Sequence, residues 1–355
     1  MNTTMKKAFV VLTTVSCLMG GASIAAAEQV EIMPISAPIT AVPISAPIEA
    51  VPISAPVYEI GHSNLLPSVR VYGQAAKIEE KRILLENNNE NDALSSVIVN
   101  ISEDTRILNA VTGMPMKLED IRENETLYAY VGPAMTRSLP PMAHAELILA
   151  GIPADFAVPT FAEIERVTRG EDGSVVIGTN RDAEFAVTAD TTLSPYLTMN
   201  IITPEMLVPG QKVLVWESAA IDGEQAANVA DKVMVFPYGY KGYVSANLDG
   251  ISVNGDKVEL SEGEAPFAKD GQLMLPLRKV AEALGYEIKW NAETRNIEVV
   301  SGEDVLYSLK LRGTEVTTAD GETRELRAAA ALEGGNTFLA ADDLIDLNEI
   351  KYVEQ

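Results

Sequence analysis

Apolar and polar positions alternate in short runs over much of the chain, and the runs read as strands. Ser174–Thr179, Ala183–Thr188, Lys212–Glu217 and Val229–Phe236 are β-prone. Glu171-Asp172-Gly173, Asn180-Arg181-Asp182 and Pro209-Gly210 break them with turn-forming residues. A short helical turn is predicted at Thr203–Leu207, with Thr203 as cap and Pro204 at the first helical position. Strands this dense, with one short helix, predict a small closed or half-closed barrel of OB-like size.

The pattern occurs twice. Ala76–Glu79 matches Ala162–Glu165, and Ile101–Ile107 matches Val187–Leu193. Glu119 aligns with Glu205, and Leu127–Tyr130 with Val213–Trp216, all at one offset, 190 − 104 = 86. The units end alike, at Ile152-Pro153 and Phe236-Pro237. An offset shared by four separated segments indicates a duplication, with β modules over residues 68–157 and 158–244.

After residue 245 the pattern changes. Ile251–Leu260 folds back at Asn254-Gly255, a turn whose central residues both need positive φ. Leu273–Leu275 reads as a strand, and Pro276 opens a helix. Leu277, Val280, Ala281 and Leu284 form one apolar stripe on it, and Gly285 supplies a left-handed stop. Tyr286–Trp290 and Asn296–Val300 form a second hairpin. The expected fold is mainly β with α+β: two tandem small β-barrel-like modules, then an α+β unit of hairpins packed on a helix, residues 245–355.

The N-terminus reads differently. Lys6 and Lys7 precede an apolar run, Ala8–Met19, and Ala25–Ala27 offers a small-residue cleavage site, so residues 1–27 read as a secretory signal peptide. Cleavage there removes Cys17; the alternative makes Cys17 a lipidated cysteine. Residues 28–67 hold three nine-residue units, Met33–Ala41, Val42–Ala50 and Val51–Glu59, with two prolines in each. Proline at that density excludes a helix, and polyproline II keeps equivalent positions on one face, as in a stiff spacer. A second reading starts from Pro43 and Pro47, which share parity, so one strand edge keeps its donors. The unit Pro43, Ile44, Ala46, Pro47, Ile48 is then a strand lent to a neighbour's sheet. No later run reaches the ~18 apolar residues of a membrane-spanning helix.

Composition narrows the function. Among 355 residues, 51 acids face 27 bases, a net charge of −24. Phosphate backbones and anionic membranes repel such a chain, so no nucleic-acid partner is expected. One cysteine excludes a disulfide framework or zinc cluster, and two histidines, His62 and His144, leave little for a triad. No cofactor is expected. Met135, Met142 and His144, with Met114 and Met116, suit Cu(I), but methionines also fill irregular barrel ends. Glu119, Asp120, Glu123 and Glu125, or Asp342 and Asp343, offer weak Ca²⁺ ligands, though solvated acidic surface is the favoured reading.

Asn254-Gly255, Gly271, Leu275-Pro276-Leu277-Arg278, Ala281–Gly285 and Trp290-Asn291, in that order, closely resemble the copper amine oxidase N-terminal domain family, or stalk domain. A degraded second copy follows, with Asp320-Gly321 as turn and Phe338-Leu339 matching Met274-Leu275. There Ala340–Asp342 replaces Pro-Leu-Arg, and Asn348 stands near the expected glycine. The duplicated β region looks like segments that accompany stalk domains in secreted proteins of Gram-positive bacteria. The resemblance implies a spacer or adhesion module, because the oxidase chemistry belongs to another domain with a tyrosine-derived quinone and three histidine ligands. The expected function is a secreted, non-catalytic spacer of the cell surface or extracellular matrix. Its expected partners are the cell wall, other surface proteins or itself. The alternatives are a wall-glycan or peptide-binding module using Tyr128, Tyr130 and Trp216, and third, a glycan-acting enzyme with a carboxylate pair.

Overall fold

The computed structural model describes residues 67–353, apart from 90, 172, 199 and 219–227. The leader, Cys17, His62 and the nonapeptide units, with Pro43, Ile44, Ala46, Pro47 and Ile48, lie outside the described residues.

The first module comprises β1 (Val69–Glu79), β2 (Arg82–Glu86), β3 (Ser96–Asn100), β4 (Arg106–Asn109), β5 (Thr126–Val131) and β6 (Met142–Ala150). The order β3-β2-β1-β5-β6 closes on itself, because the start of β6 pairs parallel with β3. The end of β6 pairs with β4. Alternation decides which side faces in: Val71, Ala75, Ile83, Leu85, Val97 and Val99 fill the barrel.

The second module repeats this with β7 (Thr160–Arg169), β8 (Val175–Thr179), β9 (Glu184–Val187), β10 (Thr192–Pro195), β11 (Lys212–Glu217) and β12 (Asn228–Val235). It closes through a parallel β9–β12 pair. Strand pairing fixes the true correspondence. Tyr128 faces Leu149 as Leu214 faces Met234, giving 214 − 128 = 86 but 234 − 149 = 85. Gly73 faces Leu127 as Ala162 faces Val213, so β1 and β7 correspond at 162 − 73 = 89. The match of Ala76–Glu79 to Ala162–Glu165 is therefore out of register by three. An odd slip exchanges the two faces of a strand, and Ala76 is exposed where Ala162 is buried. The helical turn is a 3-10 turn, Pro204–Met206, and Thr203 makes no side-chain cap bond.

Among the described residues the C-terminal unit has three sheets and two helices. β13 (Tyr243–Asn247), β14 (Gly250–Val253) and β15 (Asp256–Lys257) join β25 (Lys351–Tyr352) in the order β15-β14-β13-β25. β16 (Phe267–Lys269), β17 (Gln272–Pro276), β23 (Ala331–Glu333) and β24 (Asn336–Ala340) form a second sheet, β16-β17-β24-β23. A meander of β18 (Glu287–Asn291), β19 (Asn296–Ser301), β20 (Asp304–Lys310), β21 (Glu315–Thr318) and β22 (Thr323–Glu325) is the third. Helices α1 (Leu277–Ala283) and α2 (Ala341–Asn348) follow β17 and β24, and Leu275 of β17 faces Leu339 of β24. The degraded copy thus folds as a second hairpin-plus-helix. Leu275, Leu277, Val280, Tyr307, Leu339 and Leu344 share one core.

The left-handed stop of α2 is Glu349 (φ 51°), next to Asn348, matching Gly285 (φ 85°) at the same spacing that relates Leu275 to Leu339. Asn348 is buried, donating to the Leu344 carbonyl (2.7 Å) and accepting from the Tyr307 hydroxyl (3.2 Å). Asp342 and Asp343 are not solvated surface: they are 4% and 5% exposed.

Candidate functional site

Tyr130 and Trp216 occupy equivalent positions, 216 − 130 = 86, on the outer faces of the two barrels. Those faces pack together, burying Leu147, Leu149, Leu214 and Met234 between them. Trp216 Nε1 donates to the Ala110 carbonyl across the junction (2.7 Å). The Tyr130 hydroxyl donates to Pro159 (3.2 Å) and accepts the Phe161 amide (3.0 Å). The Lys232 ammonium lies 4.5 Å from the Trp216 ring and donates to the Thr112 carbonyl, and burial lowers its pKa. Gly113 fits beneath because it has no side chain. A Cβ there would meet Met234 Cε at 2.6 Å, and its φ is 75°.

This corrects the expectation of an aromatic groove. Tyr130 and Trp216 are 0% and 7% exposed, so they join modules and do not line a surface. Tyr128 stacks on Tyr72 at 5.5 Å, with Arg70 over its ring.

A cavity of about 370 Å³ opens beside this junction. Among its lining residues Lys212 pairs with Glu146, and the Arg106 guanidinium lies 5.3 Å from the Phe236 ring. Arg181 stacks 4.8 Å over Tyr130 and reaches the Ser68 carbonyl; burial lowers its pKa. One wall belongs to the second junction. There the Tyr238 hydroxyl donates to Pro209 (2.9 Å), and Tyr240 donates to Glu163 (3.3 Å). Glu163 also takes the Lys351 ammonium at 2.8 Å. Burial and then the Glu163 charge push the Tyr240 phenol well above its ordinary range. Glu163 therefore ties together β7, the linker and β25. Nothing in the sequence marks Glu163 or Lys351; the tyrosine pair around Gly239 is a signal that could have marked the linker.

The motif residues of the C-terminal unit separate by role. Asn254 (φ 53°) and Gly255 (φ 89°) make the β14–β15 turn, and Asn254 Oδ1 accepts the Tyr243 amide (3.0 Å). Pro276 ends β17 as the cap position of α1, and Leu277 is buried. Arg278 is exposed, 3.5 Å from Glu282. Trp290 stands alone on β18, 54% exposed. Among the suggested metal ligands, Met116 and Met135 pack on the first barrel's core, Met114 is exposed, and Met142 and His144 lie on β6. Glu119, Asp120 and Glu123 are exposed, while Glu125 accepts the Gly151 amide (2.7 Å). The Asp343 carboxylate accepts the Arg327 backbone N–H (3.1 Å) and guanidinium (3.3 Å).

One surface feature had no sequence signal. The β5–β6 loop is pinned at its neck by the Thr136 amide on the Met142 carbonyl, 2.9 Å. The Thr136 hydroxyl takes the Met142 amide (2.8 Å) and bonds the Ser138 hydroxyl (2.7 Å). Ser138 donates to the Pro140 carbonyl, 2.8 Å. Arg137 and Leu139 point outward from this brace, Leu139 97% exposed.

Comparison with known proteins matches parts of this chain. A protein named "Protease inhibitor" from Brevibacillus choshinensis is 38% identical over 90 residues, covering 25% of this chain and 26% of that protein. The chain thus spans about a quarter of the length of the curated relative it matches. No solved structure matches. Residues 252–346 match the family model of the copper amine oxidase N-terminal domain. Helix α1, the paired β17 and β24, the motif from Asn254 to Asn291 and all but the last two residues of α2 lie inside that span, so the C-terminal third of the chain is of the copper amine oxidase N-terminal type.

Proposed function

We propose that this is a secreted, non-catalytic protein of the cell surface or extracellular matrix, a spacer that self-associates or contacts wall components through its Pro-rich segment. The observation that carries the reading is the pair of sealed junctions. Trp216, Tyr130, Glu163, Tyr240 and Lys351 spend their aromatic area and charge on joining modules. Large buried aromatic contacts of this kind restrict relative motion, which suits a part that holds distance. The N-terminal domain of copper amine oxidases, which the C-terminal third matches, is likewise non-catalytic. The test is to fractionate producing cells and label intact cells with an antibody against the barrels. Surface or matrix label supports the reading; protein confined to the cytoplasm refutes it.

Protease binding is a second reading. The Brevibacillus relative bears the name of an inhibitor. The braced β5–β6 loop favours this reading, because a loop held in one conformation loses little entropy on binding. Assaying the purified chain against serine proteases of different specificity tests it.

A further inference from the structure

The β5–β6 loop presents one long cation on a braced backbone. Arg137 lies between Thr136 and Ser138, whose hydroxyls bond each other at 2.7 Å across it. The neck bonds of Thr136 to Met142 and the Ser138 bond to Pro140 engage both hydroxyls within the loop. Arg137 and Leu139 are exposed and make none of these bonds. Among the described residues Arg137 has no ion-pair or hydrogen-bond partner, so its guanidinium is free to meet one from outside. Exposing Leu139 at 97% forgoes burial of an apolar side chain two positions on.

We propose that Thr136–Leu139 is a protease-binding segment, with Arg137 filling the primary specificity pocket of a trypsin-class serine protease. The inference rests on the second reading above. Such a pocket is deep, apolar-walled and closed by a carboxylate, and it takes one extended basic side chain. A guanidinium fits it by length and by its fork of donors. The hydroxyl bridge fixes the backbone on both sides of Arg137 before the encounter, so little ordering is left for binding. Leu139, two positions on, supplies the adjoining apolar contact. Thr136 and Ser138 are positioning residues in this scheme.

The test uses the full chain against trypsin, chymotrypsin and subtilisin, reading inhibition constants. Trypsin inhibition is expected. Arg137→Ala should weaken it by roughly 100-fold, as for a central arginine anchor. Arg137→Lys should retain most of it, and Arg137→Leu should exchange trypsin for chymotrypsin inhibition. Thr136→Ala with Ser138→Ala should weaken inhibition about tenfold with the melting temperature unchanged, through lost pre-organisation. Trypsin inhibition indifferent to Arg137→Ala would overturn the site while leaving protease binding standing. No inhibition of any of the three enzymes would overturn both.

Discussion

Trp216 shows how a single side chain can hold two barrels together. Its indole N–H is satisfied by Ala110 of the other module, its ring carries Lys232, and its edge rests on Gly113. Replacing it with alanine removes that area and leaves a hole that the barrels cannot close. Trp216→Ala should cost about 3–5 kcal/mol in denaturant unfolding, the range for large buried aromatics; a loss below about 1 kcal/mol would mean that the junction contributes little. Asp343 makes a different argument. Burial raises its carboxyl above the ordinary value, and the Arg327 amide and guanidinium only partly oppose that. An acid with a raised folded pKa contributes stability below its unfolded value and loses it as pH rises through the folded one. Asp343→Asn should therefore melt with the wild type near pH about 4 and gain on it toward about 7. A variant that falls behind as pH rises would reverse the sign.

At the scale of elements, strands bounded by turn chemistry were legible because period two and Gly, Pro, Asn and Asp punctuation are local. Lys212–Glu217 and the helix after Pro276 came out within a residue of their observed limits. What failed depended on partners distant in sequence. The Ala76–Glu79 match was credible by residue type, yet only the pairing of Gly73 with Leu127 shows that it slips. Asn348 was read only as standing near the glycine position; its buried bond to Tyr307, distant in sequence, had no local signal, and the left-handed stop is Glu349. Glu349 therefore holds a conformation that suits glycine, and Glu349→Gly should raise stability by about 1 kcal/mol in a thermal melt. No gain would show that the glutamate side chain compensates locally. The candidate site was the least legible part: Tyr130 and Trp216 read as groove aromatics because alternation gives a strand's two faces but not what covers them.

For the whole molecule, the joints matter more than any one module. Glu163 meets the linker and β25 at once, so Glu163→Gln should leave the barrels folded while residues 237–242 are cut several-fold faster by a nonspecific protease at equal temperature. Unchanged cutting would make the Tyr238 and Tyr240 packing sufficient alone. The chain enters the C-terminal unit along β13 and leaves along β25, and these strands run parallel, side by side. Backbone bonds of 2.9 Å join them at Lys241 to Glu349, Lys351 to Gly242 and Val353 to Val244. Tension applied between the residues before β13 and those after β25 would pull the two strands past each other lengthwise. All three bonds would then bear the load together and could not peel one at a time. A protein strung between a cell and its surroundings would meet such tension at the bonds best placed to share it.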